Sequence, residues 1–347
     1  MQEAVTQARA AGRLTQKEVI ERLYNHALKV LRGQENESVD RLLSAYRLAQ
    51  DQIVAQIYSR YGGTEGWTLL EWEQSGRLGE LLAMVDDTLQ RLAAAASDEI
   101  GAGAQVQFVN SYDRTAYALD QATPADRPIA YSRAPEDAVK ILTNTPYKGA
   151  MFSQRIGLIT NAMASDIRDE LTQSLIQGES MEQAAKRVTG VIGISDVESP
   201  KSYANRGRVI ARTEIMRAQN MARSFLYEQN KDVVDEEVWM VTPDDRLCPW
   251  CLRREGLTDT EIRDSDPGDD PWGNDTEAPL HPHCRCVKAP KLKTWKELIG
   301  LDMPEQLTDD TRGMRDDKGD WVIAPVETFD AWKAAKTDDF AFELGAE

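Results

Sequence analysis

Between Asp245 and Cys286 the sequence gathers all four of its cysteines, Cys248, Cys251, Cys284 and Cys286, and two of its three histidines, His281 and His283. The stretch reads D-D-R-L-C-P-W-C, then an acidic loop, then A-P-L-H-P-H-C-R-C. A C-x-x-C turn brings two thiolates to one point, and a second knuckle carrying His and Cys can close a tetrahedral Zn²⁺ site. The 29 residues between Cys251 and His281 exceed the spacing of ordinary fingers, and H-P-H-C-R-C is unlike a finger's paired histidines. Six donors compete for four places. Cys248, Cys251 and His281 rank first, followed by Cys284 or Cys286. A reduced, metal-free knuckle and a disulfide are the other states these residues allow.

A structural zinc site suits a region too poor in apolar residues to hold itself together. Residues 243–290 fit that description, because their large apolar side chains are only Leu247, Trp250, Leu252, Leu257, Ile262, Trp272, Leu280 and Val287. Enzymatic readings fare worse. A zinc deaminase needs H-x-E ahead of P-C-x-x-C, whereas here C-x-x-C comes first, Leu247 replaces the proline and His281-Pro282-His283 has no Glu. A thioredoxin-like C-P-W-C needs a surrounding βαβ pattern, and a metal-dependent nuclease needs a catalytic His beside the knuckle, a role only His283 could take. The D-S-D-P-G-D-D run of the acidic loop lacks the register of a Ca²⁺ loop and reads as a solvated acidic loop.

Composition narrows the field. The chain has 347 residues, 41% hydrophobic and 29% charged, enough apolar material for one large domain or two ordinary ones. A formal net charge of −17 disfavours non-specific binding to nucleic acid or anionic membrane through the bulk surface and favours protein partners. The N-terminal stretch has no apolar core of a signal peptide, and no window approaches a membrane span. This reads as a protein made in a cytosol, where clustered cysteines serve metal or catalysis more often than disulfides.

The elements that must position the knuckle are mostly helices. Residues 3–31 form a first helix containing His26, a surface or half-buried side chain. After the polar break G-Q-E-N-E-S, Ser38 caps a second helix whose Val39, Leu42, Tyr46, Ala49, Ile53 and Ile57 make one apolar stripe ended by Gly62-Gly63. Leu78, Leu81, Leu82, Val85, Leu89 and Leu92 mark a third helix, loosened at Asp98 and Gly101–Gly103. Val106, Phe108, Val109, Tyr112 and Tyr117 suggest another. Residues 121–136 hold three prolines and read as a linker or loop. Beyond it, Ile156, Ile159, Met163, Ile167, Leu171 and Leu175 form a stripe that stops at Gly178, and Ser180 caps a shorter helix with Met181, Ala184, Ala185 and Val188 on one side. A helix over about 202–230 has Ala211, Ile215, Ala218, Ala222 and Phe225 as its seam. Glu237–Val241 reads as a short strand leading into the C-x-x-C turn. From Lys291 the chain is a polar, acidic tail with scattered Trp and Phe.

These residues resemble a known family. Arg212, Thr213 and Glu214 within A-R-T-E, then Trp239, Asp245, Arg246, Cys248, Cys251 and Gly256, and finally Pro279, His281, Pro282, Cys284, Arg285 and Cys286 follow the pattern of phage Mu F-like minor head proteins, also called head morphogenesis proteins. The resemblance covers about residues 150–290. It leaves the position of His283 variable, which ranks His283 last as a ligand. It implies a minor capsid protein in the virion, assembled in the host cytoplasm and associated with the portal vertex in head assembly or DNA delivery. Its partners would be the portal protein, with the major capsid or scaffolding protein as further candidates, and neither a membrane nor a specific nucleic-acid sequence. A metal-dependent nuclease packaged in the head is the alternative.

The expected fold is therefore mainly α: long N-terminal helices and a helical core closed by a small α+β cysteine/histidine metal knuckle. The expected divisions are a helical region 1–120, a linker 121–150, the Mu F-like domain 151–290 and a tail 291–347. Metal ligands are expected among Cys248, Cys251, His281, Cys284 and Cys286, with no catalytic residue. Arg212 and Glu214 are expected to form a half-buried ion pair, with Glu214 reaching Arg217 three residues on or a partner elsewhere, holding the helix against the knuckle.

Overall fold

The computed structural model describes residues 16–64, 66–123, 129–131, 134, 145–241, 247–299, 311–315, 321–325 and 334. The 1–15 stretch, most of the expected linker and most of the tail lie outside the described residues. The fold is mainly helical. Three long helices dominate: α1 (Gln16–Tyr61), α3 (Arg77–Ala122) and α6 (Tyr203–Gln229). Between α1 and α3 sits a short α2 (Leu69–Gln74), closed at its start by a Thr68/Glu71 capping box, which periodicity over so few residues did not reveal. Next come α4 (Phe152–Ile176) and α5 (Met181–Ile192).

Two of the expected helix breaks are absent. The G-Q-E-N-E-S stretch lies inside α1, because its polar side chains find partners on neighbouring helices. Gln34 accepts from Asn110 at 3.0 Å, and Glu35 pairs with Arg212 at 3.4 Å. One interior glycine costs only about 1 kcal/mol against such contacts. Likewise α3 runs straight through Gly101–Gly103. A Cβ on Gly103 would lie 3.1 Å from the Ser38 side chain, so this glycine permits a close helix crossing where a break was expected. Ser38 is accordingly a buried mid-helix residue rather than a cap.

The described chain forms two compact units, each discontinuous in sequence. One comprises Glu35–Ala104 and Thr143–Ile215. Its core is the predicted stripes brought face to face: Leu42, Tyr46 and Ile53 of α1, Leu81, Val85 and Leu89 of α3, and Ile156, Met163 and Ile167 of α4. Val188 and Ile192 of α5 and Ala211 of α6 complete it. Gly178 takes φ 65° after α4, and Ser180 and Gln183 form a capping box that starts α5, both as the sequence suggested.

The other unit comprises Met1–Gln34, Gln105–Leu142 and Met216–Glu347. It holds the last turns of α3, the second half of α6, and an antiparallel pair of β1 (Val234–Met240) and β2 (Val287–Leu292), with Met240 opposite Val287. Strand β1 starts three residues before the expected Glu237. Two short helices, α7 (Pro249–Leu252) and α8 (Asp259–Asp264), lie between the strands in sequence. Beyond β2, α9 (Trp295–Ile299) and a hairpin of β3 (Thr311–Arg315) with β4 (Trp321–Pro325) give the tail short regular elements.

Candidate metal centre

The C-P-W-C turn is built by helix capping. Cys248 has extended backbone at the N-cap of α7, Pro249 occupies the first turn, and the Cys251 amide donates to Cys248 Sγ at 3.3 Å. Proline at that position gives up no hydrogen bond and presets φ for the helix. The arrangement leaves both sulfurs on one side of the turn. Gly256, at φ 77°, then turns the chain back so that its amide donates to the Trp239 carbonyl while Trp239 donates to Leu257. The segment after the turn thus covers the outer edge of β1.

The second half arrives just ahead of β2. His281 Nε2 lies 3.1 Å from Cys248 Sγ and 3.3 Å from Cys251 Sγ, and Cys251 Sγ lies 3.8 Å from Cys284 Sγ. Donor atoms of Cys248, Cys251 and His281 form one group within 4.8 Å of one another, and those of Cys251, Cys284 and Cys286 form a second. Cys251 belongs to both. Cys251, Cys284 and Cys286 are buried, Cys248 is half-buried, and all four are free thiols. The space between them is about 10 Å³, room for one ion.

This donor set fits a thiophilic ion. With Zn–S bonds of about 2.3 Å, the edge of a regular tetrahedron is about 3.8 Å, which is the Cys251–Cys284 separation. His281 Nδ1 lies 2.7 Å from the Pro282 carbonyl. A proton on Nδ1 donated there leaves the Nε2 lone pair directed at the two sulfurs, the tautomer a metal ligand requires. Hydrogen bonds from Cys251 and Cys286 hold Cys284 far below the ordinary thiol range. The bond to Cys284 pushes Cys251 up, with burial adding to it. Cys286 is pulled down by Cys251 but raised on balance by its bond with Cys284 and by burial. The buried Trp239 indole N–H makes no hydrogen bond of ordinary length, yet lies close enough to Cys286 to favour its thiolate.

All five expected ligands therefore converge. His283, with φ 64°, lines the same small space but belongs to neither donor group. Arg212 and Glu214 are elsewhere: both lie in the unit built on α1, α3 and α4, where Arg212 pairs with Glu35 and Glu214 with Arg155 of α4 at 3.2 Å. The expected anchoring of this pair to the knuckle is corrected on that ground. One turn further along α6, the buried Arg217 instead approaches Glu277 of the acidic loop at 3.8 Å.

The sequence reading missed Arg254. Its side chain is 4% exposed and pairs with Asp270, itself 3% exposed, at 2.7 Å. The same guanidinium donates to the carbonyls of Trp250 at 2.9 Å, Gly273 at 2.7 Å and Asp275 at 3.3 Å. The loop is therefore not simply a solvated acidic segment. It is folded around one buried arginine, with Asp266, Asp270 and Asp275 also accepting from backbone amides two residues on. Nothing in the run of acids marks which one goes inside.

Residues 165–289, from within α4 to Ala289 of β2, match the family model of phage Mu protein F like protein. Over this stretch the chain is similar to that family. The Mu F-like region takes in α5, the A-R-T-E helix and both halves of the cysteine/histidine knuckle. No curated protein and no solved structure matches the chain.

Proposed function

We propose that the chain is a minor head protein of a tailed phage or prophage, acting in head morphogenesis at the portal vertex, and that its knuckle is a structural zinc site. The observation that carries this reading is the family match itself, which spans the A-R-T-E helix and both knuckle halves. Convergence of five soft donors on a space for one ion supports the structural role of the metal. When bound, zinc cross-links two segments that the sequence holds 29 residues apart, in a region with few apolar side chains of its own. The −17 charge suits protein partners, with the portal protein first and the major capsid or scaffolding protein next. Among the described residues no helix is long and apolar enough to cross a membrane. The proposed location is the virion.

The test combines metal analysis with co-purification. About one zinc per chain, lost in Cys251→Ser because that sulfur belongs to both donor groups, is the expected result. Co-expression with the portal protein encoded by the same phage should give a complex that survives gel filtration. Hydrolysis of DNA that disappears in both Cys248→Ser and His283→Ala would overturn the structural reading in favour of a packaged nuclease.

A further inference from the structure

The A-R-T-E helix touches the knuckle through a residue outside its motif. Asn220, six residues after Glu214 on α6, is 3% exposed. Its Nδ2 donates to the Cys286 carbonyl at 3.2 Å and to the Met216 carbonyl at 3.1 Å. Its Oδ1 accepts from the Lys288 amide at 3.1 Å and from Arg223 at 3.2 Å. Two donors and two acceptor lone pairs are all that an amide side chain offers, so Asn220 is fully used.

The pair of bonds to Cys286 and Lys288 has a particular geometry. Carbonyl i and amide i+2 on one side of a strand are what a neighbouring strand residue would engage. Strand β2 has β1 along one edge, and Lys288 is opposite Trp239, whose own amide and carbonyl turn outward to Leu257 and Gly256. Lys288 and Cys286 therefore present their polar groups to the other edge. Asn220 occupies that edge, and Tyr227, two turns further along α6, donates its hydroxyl to the Lys288 carbonyl at 3.3 Å. The helix serves as the third strand.

We propose that Asn220 is a positioning residue for the metal centre: by gripping the Cys286 carbonyl and the Lys288 amide, it sets the register in which the Cys284-Arg285-Cys286 segment presents its sulfurs to the ion. This rests on the knuckle being a metal site. It also gives the A-R-T-E helix a physical tie to the knuckle, since a one-residue slip of β2 would turn Cys286 to the opposite face.

The experiment compares the wild type, Asn220→Asp, Asn220→Leu and Tyr227→Phe as full chains. Zinc affinity is measured by chelator competition, and the ligand field by Co²⁺ absorption. Asn220→Asp keeps the shape, the acceptor for Lys288 and a partner for Arg223, but sets a carboxylate oxygen against the Cys286 carbonyl, so it should remain folded even if Asn220→Leu does not. The expected result is a zinc affinity about 10–100-fold weaker in Asn220→Asp, with Co²⁺ thiolate charge-transfer bands shifted or reduced. Tyr227→Phe, which releases only the Lys288 carbonyl, should stay within a few-fold of wild type. Wild-type affinity and spectra in Asn220→Asp would overturn the positioning role and leave the metal reading intact. Absence of zinc and of thiolate–Co²⁺ bands in the wild type itself would overturn both.

Discussion

Replacing Arg254 with Met tests whether one buried guanidinium organises the knuckle's long loop. The substitution keeps most of the side-chain volume and removes the charge. Asp270, with its side chain 3% exposed, would be left without its partner 2.7 Å away. Breaking a buried pair from one side costs roughly 3–5 kcal/mol, because the remaining charge stays desolvated. The carbonyls of Trp250, Gly273 and Asp275 also lose their donor, each a net loss of about 1 kcal/mol where water cannot replace it. Loop relaxation recovers part of this, so the expected loss is about 4 kcal/mol. The double variant Arg254→Met/Asp270→Leu removes the orphaned charge and should recover about 2 kcal/mol. The assay is native-state hydrogen exchange of the purified full chain across residues 249–280, which reports opening of this segment separately from the long helices. A loss under about 1 kcal/mol in the single variant, or an equal loss in single and double variants, would refute the reasoning.

Two further perturbations probe other contacts. A Cβ at Gly207 of α6 would meet Tyr46 of α1, lying 2.8 Å from its Cζ, and the buried Tyr46 hydroxyl has no hydrogen-bond partner. Gly207→Ala should destabilise by about 1–3 kcal/mol, and adding Tyr46→Phe should return part of that in urea unfolding. No loss in Gly207→Ala would show that the two helices can separate freely. Lys288, with its side chain 4% exposed, is pulled down to about 8 by burial, although it pairs with Asp259. Its folded pKa is below its unfolded one, so the unfolded chain binds more protons above pH 8 and this residue's contribution to stability rises with pH. The stability of the wild type relative to Lys288→Met should therefore increase by about 1–2 kcal/mol between pH 7.5 and 9.5. A constant difference would mean that the lysine keeps its ordinary pKa in the fold.

Local signals were legible where the chain's own neighbours fix the outcome. The apolar stripes of α1 and α4 predicted the buried faces residue by residue, and that of α3 did so except at Leu82, which is partly buried, and at the exposed Val106 and Val109 further along, because a helix of period 3.6 must put a stripe's residues on one side. The Gly178 stop, the Ser180 cap and the C-P-W-C turn were equally readable, since each depends on backbone conformation over a few residues. That Cys248, Cys251, His281, Cys284 and Cys286 would gather was legible because cysteines and histidines cluster for few other reasons.

What failed were judgements that depend on partners far along the chain. The G-Q-E-N-E-S stretch and Gly101–Gly103 look like breaks by propensity, and partners on other helices, among them Asn110, Arg212 and Ser38, favour the helix there. Of the two kinds of partner open to Glu214, one on its own helix or one elsewhere, the sequence could not point to Arg155, 59 residues away. Composition could not say that Asp270 and Arg254 would be buried among exposed acids. By itself the sequence determined most of the helices' apolar faces, the Ser180 cap and the gathering of cysteine and histidine, all carried by period, turn residues and residue type. Tertiary structure alone decided where helices continue, which charges are buried together and that Asn220 meets the Cys286–Lys288 backbone, because each depends on which distant side chain fills a hydrogen-bonding need.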